Sequence, residues 1–293
     1  MHKFDERIAS GKALVSDGAT GTNLQKMGLK AGIAPEDLVL DNPELLSSLA
    51  ASFVSAGSDI ILTCTFGGTR LRMKDSKYQE QVAEVNRRAV EIARSVITGN
   101  PSVLIGGSIG PTGQIMKPFG PLNSEEALAS FAEQAKALAE SGVDLFVIET
   151  MFAIEEAEAA FDAVRSVSDL PIVVSFSYDR GVRTMMGVKP AQAAKLFKSK
   201  GASAIGANCG TTLENMEKII KEYAAAVPGF PIWAKPNAGL PRMDEDGNAV
   251  YDVTPAQMGL AAIANITAGA NIVGGCCGNS PEHIAAIAAA VKG

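Results

Sequence analysis

The 293 residues are 47% hydrophobic and 20% charged with a net charge of −6, a composition that supports a large buried core. There is no basic run, which excludes nucleic acid or an anionic membrane surface as the main partner. MHKFDERIAS at the N-terminus lacks the apolar stretch of a signal peptide, and no apolar run reaches the roughly 18 residues of a membrane span; the expected location is the cytoplasm.

Short β-type runs alternate with amphipathic helical ones along the chain. A helical segment at 4–10 is expected to close the bottom of the fold. Strands are predicted at 13–17, 59–63, 103–107, 145–149, 172–176, 204–208, 232–235 and 271–275. They are brief and apolar, as parallel strands covered on both faces should be. Asn42-Pro43-Glu44 supplies an N-cap, a proline at the first helical position and a first-turn acid, and Gly57 closes that helix. Ser124-Glu125-Glu126 opens another helix that Gly142 ends, and Thr254-Pro255 and Ser280-Pro281-Glu282 open two more. Eight strands, each followed by a helix with no linker between them, predict one α/β domain over 1–293, a (β/α)8 TIM barrel. An open doubly wound sheet is the alternative, and the absence of a GxGxxG fingerprint weighs against it. The stretch 237–253, on the seventh connection, reads as the longest interruption, and a long loop there is expected to shape a site.

Barrel active sites lie at the C-terminal ends of the strands. In order, those ends carry Asp17-Gly18, Thr63 to Thr65, Ser108, Glu149-Thr150, Ser175 with Ser177, Asn208-Cys209, Lys235-Pro236-Asn237 and Cys276-Cys277. All four cysteines fall there. Cys64 alone reads as a small buried hydrophobe. Cys209, Cys276 and Cys277 read as a zinc site, since Zn²⁺ takes tetrahedral sulfur ligation and a catalytic site keeps one position open. Their spacing is not that of a zinc ribbon, and a vicinal disulfide is the other option, at odds with a reducing compartment. Gly275 and Gly278 give the backbone room around the pair.

The chain resembles the homocysteine S-methyltransferase family, which includes betaine–homocysteine methyltransferase and, more similar, the N-terminal homocysteine module of cobalamin-dependent methionine synthase. The segments that carry the resemblance are SDGATGTNLQ (16–25), DIILTCTFGGT (59–69), GGSIGPTG (106–113), FVIETM (146–151), GANCG (206–210), KPNAGLP (235–241) and GGCCG (274–278). It implies a barrel holding catalytic Zn²⁺ through Cys209, Cys276 and Cys277, with Asn237 at the fourth position when substrate is absent. It also implies homocysteine as methyl acceptor, its amino group held by Glu149.

A free thiol, of pKa about 8.5, is mostly protonated at neutral pH, and metal binding makes it a nucleophile. Asp17 is a second candidate for the substrate ammonium, with an Asx-type turn as its structural alternative. Ser108 and Thr65, with backbone N–H groups of the Gly-rich turns, are candidates for the carboxylate. Lys235 suggests a rival chemistry, a Schiff-base lyase; a non-catalytic thiol- or zinc-binding module is a third possibility. His283 reads as a solvated helix-face residue. Cys64, within TCTF, departs from the Asn common in the family and leaves the accepted thiol open. With no further region after the zinc motif, the donor is expected to be a methylated corrinoid protein or methylcobalamin supplied in trans. S-methylmethionine, S-adenosylmethionine and a betaine are the alternatives.

Overall fold

A computed structural model describes residues 1–30, 32–244 and 249–293. Eight strands form one sheet: β1 (Leu14–Val15), β2 (Ile60–Leu62), β3 (Leu104–Ile109), β4 (Leu145–Met151), β5 (Ile172–Phe176), β6 (Ala204–Asn208), β7 (Ile232–Lys235) and β8 (Ile272–Val273). Their order is β1-β8-β7-β6-β5-β4-β3-β2, with every neighbouring pair parallel. Between β1 and β2 a single bridge, Ser16 with Ile60, completes the circle. Two carboxylates reinforce that seam: Asp59 accepts the Val15 N–H at 2.8 Å and Asp17 accepts the Leu62 N–H at 2.7 Å. Asp59 also pairs with Arg7 of the first helix at 2.7 Å and with Lys292 of the last at 2.8 Å. The result is the expected (β/α)8 barrel.

Successive strand residues point to opposite faces, and here both faces are apolar. Leu14, Ile60, Leu104, Leu145, Val173, Trp233 and Ile272 fill the barrel interior, whereas Val15, Ile61, Ile105, Phe146 and Val174 pack outward under the helices. Phe4, fully buried on the helix Lys3–Ala9, joins the interior cluster and plugs the bottom. The first and eighth strands are shorter than the predicted 13–17 and 271–275, at two residues each.

Helix starts follow the sequence signals, with one shift. Asn42 accepts the Leu45 N–H, and Thr254 forms a capping box with Gln257. The cap of the helix Ser124–Glu140 is Asn123, whose side chain and Glu126 bond reciprocally. The seventh connection, residues 236–254 between β7 and the next α-helix, is long as expected, and residues 63–81 after β2 match it in length. Within 237–253, Arg242–Met243 pairs antiparallel with Ala249–Val250, and 245–248 lie outside the described residues. No described helix is long and apolar enough to cross a membrane.

Candidate active site

Three thiols meet at the barrel mouth. Cys209 follows β6, and Cys276 and Cys277 follow β8; the end of β7, which lies between those strands, ties them together. The Cys209 N–H donates to the Lys235 carbonyl at 3.2 Å, the Cys276 N–H to the Pro236 carbonyl at 2.8 Å, and the Ala238 N–H to the Cys277 carbonyl at 2.9 Å. The Cys209 sulfur lies 2.7 Å from that of Cys276 and 3.6 Å from that of Cys277, and all three fall within 4.8 Å of one another. Cys64 stands apart, packed against the core between barrel and helices, with burial pushing its thiol above the ordinary range.

Local backbone explains how two neighbouring cysteines reach one point. A methyl at Gly275 would overlap the Asn279 side chain, and one at Gly278, at φ +81°, would overlap the Tyr251 ring. Only glycine fits at either position. The Asn279 amide donates to the carbonyls of Pro236 and Cys276, each at 3.0 Å. Cys209 itself is left-handed, at φ 57°, a conformation that costs a side-chain-bearing residue about 1–2 kcal/mol and concentrates at functional sites.

Three half-buried sulfurs this close together cannot all ionise unaided. Hydrogen bonds from Cys209 and Cys276 hold the Cys277 thiol well below its usual range, while the bonds of Cys209 to Cys276 and Cys277, with burial, hold Cys209 well above it. One thiolate is tolerated, and the others call for a nearby cation. Tyr251 faces the group: its hydroxyl bonds to Cys277, and burial pushes that phenol up.

Below the thiols lies a buried polar layer. Lys235 and Asp17, each 2% exposed, pair at 2.7 Å. The neighbouring carboxylates hold Lys235 above the usual lysine range despite its burial. Glu149 accepts the Ser108 hydroxyl at 2.6 Å; burial pushes its carboxyl up to about 7, against the pull of Lys235. Asn208, fully buried, accepts the Thr150 N–H at 2.9 Å and the Ser175 hydroxyl at 2.6 Å, and its amide donates to Thr150 Oγ1 at 2.7 Å. Asn237 is buried on the end of β7, and its Oδ1 has no hydrogen-bond partner among the described residues.

The predicted site residues therefore separate into two groups. Cys209, Cys276, Cys277, Glu149 and Asn237 converge on the mouth. Asp17 does too, but both its oxygens are engaged, by Lys235 and by the Leu62 N–H, so it has no oxygen free for a substrate ammonium. Thr65 donates to the Ser108 carbonyl at 2.7 Å and shares its hydroxyl with Thr63, and the Ser108 hydroxyl is given to Glu149. Neither is free to meet a carboxylate. Lys235, ion-paired as an ammonium, lacks the neutral amine that Schiff-base chemistry needs. His283 is not a solvated face residue: its Nδ1 takes the Ser280 N–H at 3.2 Å and its Nε2 bonds the Val253 carbonyl at 2.9 Å, tying the last helix to the seventh connection. Sequence reasoning placed Asn208 at a strand end without giving it a role and missed Asn279; the one available signal was their position beside the cysteine motifs.

A family model described as Homocysteine S-methyltransferase matches residues 14–291. Among solved structures, the metallated form of the homocysteine methyltransferase MmuM from Escherichia coli superposes with a TM-score of 0.83 at 23% identity, over 98% of this chain and 99% of that one. Its oxidized form gives 0.82 at 23% identity, over 97% and 99%. The carboxyl transferase domain of Rhizobium etli pyruvate carboxylase gives 0.56 at 14% identity, over 99% of this chain and 49% of that one. At such identities the structural likenesses establish the shared barrel alone.

Proposed function

The chain belongs to the homocysteine S-methyltransferase family, and we propose that it transfers a methyl group to the thiol of homocysteine, giving methionine, at a zinc ion held by Cys209, Cys276 and Cys277. The observation that carries this reading is the convergence of three thiols from two strand ends within 4.8 Å. The donor set suits zinc: soft thiolates, and beside them the unpartnered Asn237 oxygen, able to complete a tetrahedral shell. When bound, zinc supplies the positive charge that keeps a substrate thiol deprotonated near neutral pH.

The chain's own residues bind and orient. Glu149 takes the substrate ammonium, and Ser108, donating to its other side, fixes the carboxylate's direction. The Asp17–Lys235 pair sets the charge of the floor, leaving Glu149 as the acid with capacity for a ligand. The substrate carboxylate falls to backbone N–H groups of the Gly-rich turns, because the hydroxyls of Thr65 and Ser108 are committed. Methyl transfer is then an in-line displacement at carbon, for which positioning is the protein's main contribution.

For the donor, the rim of the mouth supports a methylated corrinoid protein or methylcobalamin supplied in trans. Phe66, Ile115, Phe119, Met185, Leu240 and Met243, from four βα connections, are exposed there, an apolar collar suited to a large partner. A second reading rests on Tyr251. An aromatic ring against Cys277 suits a sulfonium or quaternary ammonium donor, such as S-methylmethionine, S-adenosylmethionine or a betaine. We place the enzyme in the cytoplasm, where its thiols stay reduced.

The test is zinc quantitation with X-ray absorption, with and without homocysteine, then the donor panel scored for methionine. The expected result is one zinc per chain and an added sulfur ligand with homocysteine. An unchanged coordination shell would sink the acceptor assignment.

A further inference from the structure

Two residues with side chains sit in the left-handed region among those described, Thr150 at φ 63° and Cys209 at φ 57°. One follows the proposed ammonium ligand Glu149, and the other is a proposed metal ligand. A β-branched residue such as Thr150 is rarely found there, and surrounding contacts must hold it. The side chain that does so is Asn208, the neighbour of Cys209. Its Oδ1 holds the Thr150 N–H and its Nδ2 holds Thr150 Oγ1. The Thr150 N–H donor fixes which end of the amide is oxygen. The same Nδ2 lies 3.5 Å from Glu149 Oε2 and 3.8 Å from the Cys276 sulfur. Ser175 on β5 anchors Oδ1 from below at 2.6 Å.

We infer that Asn208 is a positioning residue that sets the distance between the ammonium-binding carboxylate and the thiolate cluster, and so selects homocysteine over cysteine. This rests on the methyl-transfer reading of the site. An α-amino acid thiol must reach from Glu149 to the sulfurs at once. Cysteine, one methylene shorter, falls short by roughly 1.3 Å, and a fixed spacing turns that shortfall into discrimination. Asn208 bonds to the residue after Glu149 and lies against both ends of the gap. Because its own backbone leads into Cys209, a shift of either end is resisted through one side chain. A buried network of this kind has few alternative arrangements.

The test compares wild type with Asn208→Ala and Ser175→Ala as zinc-loaded proteins. Zinc per chain, melting temperature and the Kd of homocysteine and of cysteine, by anaerobic calorimetry, are measured beside kcat and KM. Wild type should prefer homocysteine by about 10- to 200-fold, the range available from one methylene. Asn208→Ala should keep its zinc and bring that preference to within about threefold, chiefly by weakening homocysteine. Ser175→Ala, which only frees the anchor, should give a smaller loss in the same direction and decides the matter if Asn208→Ala does not fold. A preference unchanged in the variants would overturn the Asn208 assignment alone, and so would loss of zinc from Asn208→Ala. Wild type that binds no homocysteine would overturn the methyl-transfer reading and this inference with it.

Discussion

The two ends of the barrel are built from the same eight strands and obey opposite rules. At the bottom, Leu14, Ile60, Leu104, Leu145, Ile272 and the plug Phe4 form a dry apolar layer. At the mouth, a few residues further along, the layer is buried Asp17, Lys235, Glu149, Asn208 and Asn237 with three half-buried thiols above them. The bottom is satisfied by contact alone. Each mouth residue needs a specific partner, and most of them find it within the protein. The residues left wanting are the informative ones: Asn237 Oδ1, with no donor among the described residues, Glu149, whose Oε2 meets only the distant Asn208 amide at 3.5 Å, and three thiols crowded within 4.8 Å. What the mouth lacks outlines what it binds.

The contrast can be broken at either end. Cys276→Ala should abolish zinc binding and lower methyl transfer by more than about 1,000-fold, since the substrate thiol loses its activating ion. Its melting temperature should stay near that of the zinc-free wild type; a collapsed fold would make the mouth structural after all. Phe4→Ala is the mirror case. It should cost about 3–5 kcal/mol of stability in denaturant titration and leave zinc content and KM alone. Glu149→Gln keeps the shape and removes the charge. KM for homocysteine should rise by about 10- to 100-fold, the worth of a charged hydrogen bond, with zinc retained; unchanged kinetics would remove Glu149 from the site.

A pH series sharpens the same point. Methionine carries no titrating thiol, so its affinity reports the carboxylate. Because burial places the Glu149 carboxyl at about 7, the empty site is charged above that pH and neutral below it. Methionine affinity should be highest between pH 7 and the point where its own ammonium titrates, and should weaken as pH falls below 7, by up to about tenfold per unit. The dependence should vanish in Glu149→Gln, as a pH-resolved binding titration would show. The smallest effect belongs to Asn123→Ala, on a mouth-side loop but outside the site. Losing that cap should cost about 1 kcal/mol and leave KM unchanged.

Much of this was legible in the sequence because it depends on local order. Short apolar runs between capped helices announce a parallel barrel, and position along the strands brings Cys209, Cys276 and Cys277 to one end. Partner choice was not legible. Nothing in SDGAT says that Asp17 spends one oxygen on Lys235, far away in the chain, and the other on its neighbour strand. Ser108 and Thr65 look like free hydroxyls until the third dimension assigns them to Glu149 and to a backbone carbonyl. His283 looks solvated because the Val253 carbonyl it meets belongs to a different connection. The side chain of Asn208 was hidden by a more conspicuous neighbour, the cysteine that follows it.

The seam between β1 and β2 carries a consequence for how the barrel breathes. Elsewhere around the circle, neighbouring strands share a ladder of backbone hydrogen bonds; here one bridge and two aspartate side chains do much of that work. Asp59 also tethers the first and last helices, so both chain ends are latched to the same line. Opening that line releases the terminal helices together and frees Asp17 from Leu62. The N–H groups of Val15 and Leu62 should therefore exchange with deuterium ahead of those in the middle of β4 and β5. Asp59→Asn, which removes the charge of that latch, should widen the gap in exchange rate.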